Sequence, residues 1–343
     1  MPVTKLNIKH VPSWEEEVWK LPHQAISDVA IDSQDRVYLL ARGPERVLVY
    51  SREGKFLSTW GEGQFGANHG ITIGPDDSVY VVDNGQHVVR KFTNDGKLLM
   101  TIGTLGVASD TGYNPRAEGI RINPVETVER GAGPFNRCTN CAIAPNGDIY
   151  VADGYGNCRV HQFTQDGVLV KSWGEVGVGR GGFHLPHGIA IDRNGRVLVC
   201  DRQNDLVQIF DLDGKYITEW TDTYRATQIA IDRDGLVYVS ELTRETGDAS
   251  FRTGIVPEEQ PGRVSVFDEN GTLLARFGAS DALGERVMER AAPGNFIAPH
   301  GIAVDSLGDV YVAEVTSARG IPAGLPPPGE RHQIQKFTHR VDE

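Results

Sequence analysis

Apolar residues come in short runs rich in Val, Ile, Leu and Tyr, and a polar turn cuts off each run before it reaches helical length. Such runs predict strands. One phrase recurs: Gly70-Ile71-Thr72-Ile73, a polar turn, then Val79-Tyr80-Val81-Val82 and an acid, Asp83. It returns as Gly188-Ile189-Ala190-Ile191 with Val197-Leu198-Val199-Cys200-Asp201, and in further copies over 143–153, 229–241 and 302–314. A weaker first copy covers 29–41, with Ala41 where the acid would stand. Copies continue into a third strand, such as Val88-Val89-Arg90-Lys91-Phe92, and a turn such as Asp95-Gly96 or Asp213-Gly214. A fourth strand follows and often ends on an aromatic residue and glycine, as at Trp60-Gly61 and Trp173-Gly174.

Tandem units of four antiparallel strands, roughly 40 to 48 residues each and six in number, predict an all-β chain folded as a six-bladed β-propeller. The last unit runs out after its third strand, Gln335-Lys336-Phe337, while a spare segment precedes the first. Residues 1–20 are therefore expected to complete the sixth blade and close the ring, which removes a free sheet edge. The whole of 1–343 is then one domain. Gly/Pro-rich inserts at 104–136, 243–262, 279–297 and 316–331 break the regular spacing, and strand direction puts all four on one face, where they roof a pocket.

Composition narrows the partners. The 343 residues carry 34 Lys+Arg against 46 Asp+Glu, a net charge of −12, which argues against nucleic acid as the main partner. No apolar run approaches the ~18 residues that cross a membrane, and the amino terminus lacks an apolar signal core, so a cytoplasmic location is expected. Cys138, Cys141, Cys158 and Cys200 are too few for a disulfide scaffold, and Cys138-x-x-Cys141 has no second such pair to make a zinc ribbon. Buried thiols are the expectation.

Alignment of the six units on the end of the second strand exposes a slot fourteen residues earlier, just before the innermost strand. It holds Ser27, His69, Thr139, His187, Thr227 and His300 in turn. Histidine occupies every alternate blade. Equivalent positions face one central channel, so His69, His187 and His300 are expected around a three-fold axis as a tripod that holds a metal and leaves positions open for substrate. Zinc leads, with another divalent transition metal as the variant. The plainer reading is a polar lining of the channel mouth. The other seven histidines, His10, His23, His87, His161, His184, His332 and His339, are out of register and are expected on the surface or in loops.

Residues at and just after the end of each second strand share that mouth. Arg42 and Arg202 put two cations beside a metal, which calls for an anion and predicts a small carboxylate-bearing substrate. Asn84 and Asn157 are assigned as further substrate contacts. Asp83 and Glu241 read as turn caps. Tyr155 lies in a glycine-flanked turn, Asp153-Gly154-Tyr155-Gly156-Asn157. It is either a general base whose phenolate zinc and guanidinium stabilise, or an ordinary aromatic lining the channel.

These units resemble NHL repeats. The motifs Asn68-His69-Gly70, Asp153-Gly154-Tyr155-Gly156-Asn157-Cys158-Arg159, Leu185-Pro186-His187-Gly188, Asp201-Arg202-Gln203-Asn204 and Ala298-Pro299-His300-Gly301 resemble the lyase domain of the peptide-amidating enzymes, peptidyl-α-hydroxyglycine α-amidating lyase. The resemblance spans about 27–337. It implies zinc on His69, His187 and His300, Tyr155 as base, and Arg202 and Arg42 on the substrate carboxylate or oxyanion. It also implies cleavage of a hydroxyglycine carbinolamine to an amide and glyoxylate. Gly301 stands where the family has an aspartate on a structural calcium, which counts against calcium here. Gly156 follows Tyr155 where secreted members have a paired cysteine, so family disulfides are not carried over. The sequence shows no copper hydroxylase segment, so a different substrate is expected.

The leading expectation is thus a metal-dependent lyase of this type. A lactonase-like metal-dependent hydrolase or hydratase on the same propeller is the first rival, and six-bladed lactonases favour calcium on carboxylate and Asn ligands over a His tripod. A non-catalytic NHL binding module is the second, and an acidic chain with its unusual residues inside the channel weighs against it. Nothing in the sequence indicates an oligomeric state.

Overall fold

A computed structural model describes residues 6–14, 18–21, 23–119, 124–279, 292–316 and 332–341. Six four-stranded antiparallel sheets form the blades of a propeller, and the described residues contain no α-helix. Blade 1 runs through Ala25–Ile31, Val37–Arg42, Arg46–Tyr50 and Phe56–Trp60, and blade 2 through Asn68–Ile73, Val79–Asp83, Val88–Phe92 and Leu98–Ile102. Blade 3 comprises Asn140–Ile143, Ile149–Asp153, Arg159–Phe163 and Leu169–Trp173; blade 4 comprises Pro186–Ile191, Arg196–Asp201, Leu206–Asp211 and Tyr216–Trp220. Blade 5 is Ala226–Ile231, Val237–Glu241, Arg263–Phe267 and Leu273–Phe277. Blade 6 joins Pro299–Val304, Val310–Glu314 and Ile334–Val341 to the amino-terminal strand Leu6–His10. Each innermost strand packs on that of the next blade, including Pro299–Val304 on Ala25–Ile31, so the ring is closed.

Burial explains the repeat. Second strands such as Val79–Asp83 and Ile149–Asp153 are buried at every position between neighbouring sheets, which is why they read as continuous apolar runs. Fourth strands such as Phe56–Trp60 lie at the rim and are mostly exposed. The turn glycines Gly96 and Gly214 sit at φ +90° and +74°, and a Cβ there would meet the preceding blade's indole, Trp60 at 2.6 Å and Trp173 at 2.7 Å. Glycine therefore lets each rim indole lie flat on the next sheet.

The acid that ends each second strand also has a constant job. Asp83 accepts from Gly66 and Ala67 N–H, Asp153 from Asn136, Asp201 from His184, Glu241 from Tyr224, and Glu314 from Ile297 and Ala298. These acids cap the loops that lead into the slots, a role read in the sequence only for Asp83 and Glu241. A third-strand side chain holds each one: Arg90, His161, Gln208, Ser265 and Gln335 respectively. Blade 1 lacks the acid, and there Ala41 is buried and stands opposite Arg46 of the third strand. His161 is thus buried, contrary to the surface or loop position expected from its sequence, because it braces Asp153 at 3.2 Å.

The amino-terminal strand pairs antiparallel with the carboxy-terminal one, from Leu6 opposite Val341 to His10 opposite Phe337. Trp14 follows it, is buried between Tyr50 and Tyr311, and donates its indole N–H to Arg52 O at 2.8 Å. A Cβ at Gly54 of blade 1 would meet Trp14 O at 2.7 Å, so this segment seals the last junction much as Trp60 seals an internal one. Deletion of residues 1–20 should destabilise the whole ring, by about 3–5 kcal/mol from Trp14 alone. An unchanged thermal unfolding midpoint would show that the segment is dispensable.

Insert 243–262 forms a short hairpin of Ala249–Ser250 and Gly254–Ile255, and insert 104–136 packs Val125 and Val128 into the core near Tyr113 and Tyr155. A parallel pair, Glu175–Val176 with Gly182–Phe183, is too short to carry a periodic signal in sequence. Most of inserts 279–297 and 316–331 lies outside the described residues. Among those described, no helix is long and apolar enough to cross a membrane.

Candidate metal centre

The six slot residues lie at one end of the innermost strands and are all buried. The imidazoles of His69, His187 and His300 converge, with ring centroids 4.8–5.0 Å apart and a potential ligand atom from each within 4.8 Å of the others. No other group of this kind occurs among the described residues.

The intervening slots orient them. His69 Nδ1 lies 2.8 Å from Thr139 O, His187 Nδ1 2.6 Å from Thr227 O, and His300 Nδ1 2.6 Å from Ser27 O. A carbonyl oxygen only accepts, so each Nδ1 carries the proton and each Nε2 turns a lone pair to the axis. Glycine makes the approach possible. A Cβ at Gly70 would sit 2.7 Å from Thr139 O and one at Gly188 2.5 Å from Thr227 O, while one at Gly301 would strike Asp28. An aspartate in place of Gly301 is therefore excluded by packing.

Burial drives His69 and His187 well below the ordinary imidazole value and His300 to about 3, helped by the charges of Arg42 and Arg202. The tripod is thus neutral at pH 7. Three neutral imidazole nitrogens with fixed tautomers fit zinc or another divalent transition ion, and the all-nitrogen donor set does not fit calcium.

Tyr155 reaches over the tripod from the loop after Ile149–Asp153. Its Oη lies 3.3 Å from His69 Nε2, 3.4 Å from His187 Nε2 and 3.1 Å from Arg202 Nη1. The Arg202 guanidinium also stands over the Tyr155 ring, 5.3 Å from its centroid. Gly154 permits this turn, since any side chain there would run into Pro186 O. Arg42 ends its strand beside the same mouth and donates from Nε to Asn68 O at 3.3 Å, next to His69. Burial lowers its pKa, while its interactions with nearby Tyr155, Glu45 and Asp28 act the other way. One phenol and two guanidinium groups therefore face the ligand side of the tripod.

Two expected substrate contacts are placed elsewhere. The Asn84 amide donates to Arg137 O and Cys138 O at 3.1 and 3.2 Å. Asn157 donates to Asp153 at 2.8 Å and accepts from Ala132 and Cys158 N–H. Both amides tie down loops, because an asparagine that can serve the backbone at such a turn is spent there. The orienting carbonyls of Ser27, Thr139 and Thr227 were missed in the sequence, since any residue type supplies a carbonyl. Their only trace was the strict alternation of hydroxyl residue and histidine.

A model of the NHL repeat matches residues 135–163 and 183–210. Mouse NHL repeat-containing protein 3 is 30% identical over 295 residues, which cover 84% of this chain and 76% of that protein. Peptidyl-alpha-hydroxyglycine alpha-amidating lyase 1 of Drosophila melanogaster is 25% identical over 326 residues, covering 90% of this chain and 52% of the relative. Among solved structures, virginiamycin B lyase from Staphylococcus aureus superposes with a TM-score of 0.54 at 14% identity, over 97% of this chain and 99% of that one, a likeness of fold. Repeat, blade count and the extent of the mouse match lead to one conclusion: the chain belongs to the NHL-repeat family of β-propellers that includes NHL repeat-containing protein 3.

Proposed function

We propose that the protein is a metal-dependent lyase that splits a small, carboxylate-bearing carbinolamine, the activity type that the name of the Drosophila relative prints. The observation that carries this reading is the position of Tyr155 Oη, 3.1–3.4 Å from Arg202 and from two nitrogens of a neutral His tripod. A divalent transition ion on His69, His187 and His300 supplies Lewis acidity toward substrate oxygens. Arg202 and Arg42 hold the carboxylate, which fixes the adjacent hydroxyl carbon in the mouth. Tyr155 takes the hydroxyl proton as the C–O bond becomes a carbonyl and the C–N bond breaks, and the departing nitrogen takes up a proton. The products are an amide and an α-keto or aldehyde acid, with no water consumed. A cytoplasmic location belongs to the same reading, supported by four buried cysteines that are all unpaired.

The test is to incubate the metal-loaded protein with N-benzoyl-α-hydroxyglycine in oxygen-18 water. Benzamide and glyoxylate should form in equal amounts with no label in the amide. Labelled benzoate would show hydrolysis and sink the lyase reading.

A further inference from the structure

Blades 3 to 5 bring more positive charge to the mouth than one carboxylate uses. Arg225 stands two residues before the Thr227 slot, with φ at +40°, and Arg137 stands at the matching place before Thr139 with φ at +60°. Leu185 of blade 4 has the same backbone at the matching place, φ +72°, so the turn is common to blades 3 to 5 and in two of them it presents an arginine. Blades 1, 2 and 6 have Ala25, Ala67 and Ala298 there instead.

The four arginines on this side differ in how they are compensated. Arg244 is 1% exposed and makes a bidentate pair with Asp205 at 2.6 and 2.7 Å. Arg225 has no such partner. Its main-chain N–H donates to Asp205 and its Nη1 to Thr243 O at 2.6 Å, while Nε is buried without a hydrogen bond. The carboxylate that faces its guanidinium, Asp248 Oδ2, is 3.8 Å away on a side chain 47% exposed. Arg202 and Arg137 also have a buried, unpaired Nε. Next to Arg202, Gln203 is 2% exposed and its Oε1 has no partner. Gln203, Arg225, Arg244, Asp248 and Ala249 line a cavity of about 30 Å³, room for one water or a single anionic oxygen. Rotation of the Gln203 amide by half a turn presents its NH2 to that space.

Buried donors without acceptors are costly, and an anion removes the cost. Burial, with the charges of Arg202 and Arg244, pulls Arg225 down to about 9, and only the half-exposed Asp248 at 3.8 Å and Tyr155 act the other way. We propose that Arg225 and Gln203 form a second anion subsite beside Arg202, so that the substrate is a dicarboxylate with its second carboxylate on the blade 5 side. The first carboxylate and the reacting hydroxyl are those of the lyase reading above, on which this inference rests.

Calorimetric titration of the metal-loaded protein with acetate and with malonate tests it. Malonate should bind at least about tenfold more tightly than acetate, the scale of one charge-assisted hydrogen bond. Arg225→Gln should remove that preference and leave acetate affinity unchanged, whereas Arg202→Gln should weaken both anions. Arg225→Lys keeps a donor for Thr243 O and the charge but not the planar fork, and should retain part of the preference; it serves if the glutamine variant fails to fold. Equal affinity for the two anions in the native protein overturns the subsite, as does a preference that survives Arg225→Gln. The two readings fail separately. Loss of the lyase reading leaves the anion preference measurable, and turnover of N-benzoyl-α-hydroxyglycine without malonate selectivity removes the subsite alone.

Discussion

His69→Ala should abolish metal content and turnover together while the propeller stays folded. A three-imidazole site has no spare ligand, and the remaining pair, His187 and His300, leaves a weak two-coordinate site. Even loss of a group that only orients a ligand costs about 10- to 100-fold in metal affinity, so loss of the ligand itself should exceed 100-fold. Blade 2 keeps its other anchors, because Asp83 still caps the loop at Gly66 and Ala67 and Asn68 still donates to Ala41 O at 2.9 Å. Elemental analysis should drop from near one ion per chain to background, with an unaltered circular dichroism spectrum. Full activity in a metal-free preparation of the native protein would falsify the metal-dependent mechanism at once.

Tyr155→Phe should give the second large effect with the opposite signature: metal and fold retained, turnover down by about 100-fold or more. Phenylalanine keeps the ring that packs against the core between blades 3 and 4 and lies under the Arg202 guanidinium. It removes one oxygen, the one near His69, His187 and Arg202. Because the arginines still hold the carboxylate, kcat should fall with little change in KM. A variant that turns over at the native rate would reduce Tyr155 to a channel-lining aromatic.

The blades and the three converging histidines were both readable because each is a periodic property. Strand alternation repeats in all six units, and the turn glycine and the strand-ending acid in five of them, so a histidine at the same offset in alternate copies stands out against its own chain. The rest of the site is not periodic. Asn84 and Asn157 looked like contacts, yet asparagine in a loop reads the same whether it meets substrate or caps backbone, and here backbone groups engage both, with Asp153 also holding Asn157. His161 was out of register with the slots but in register with Arg90, Gln208, Ser265 and Gln335, the residues that brace the strand-ending acids. Pairing each acid with its third-strand neighbour would have placed it inside. Arg225 escaped notice because its importance lies in what it lacks, a close bidentate carboxylate like the one Arg244 has, and that is invisible before the fold brings Asp205 to Arg244 instead.

Completion of blade 6 by Leu6–His10 fixes an order of events during synthesis. His69 and His187 leave the ribosome early, but His300 belongs to the one blade that needs strands from both ends of the chain. The third imidazole and the Ser27 carbonyl that aims it meet only across that joint. A nascent chain therefore has no complete tripod, and under the proposed metal dependence ion capture would wait until the circle is fastened. Loading would then report a finished molecule.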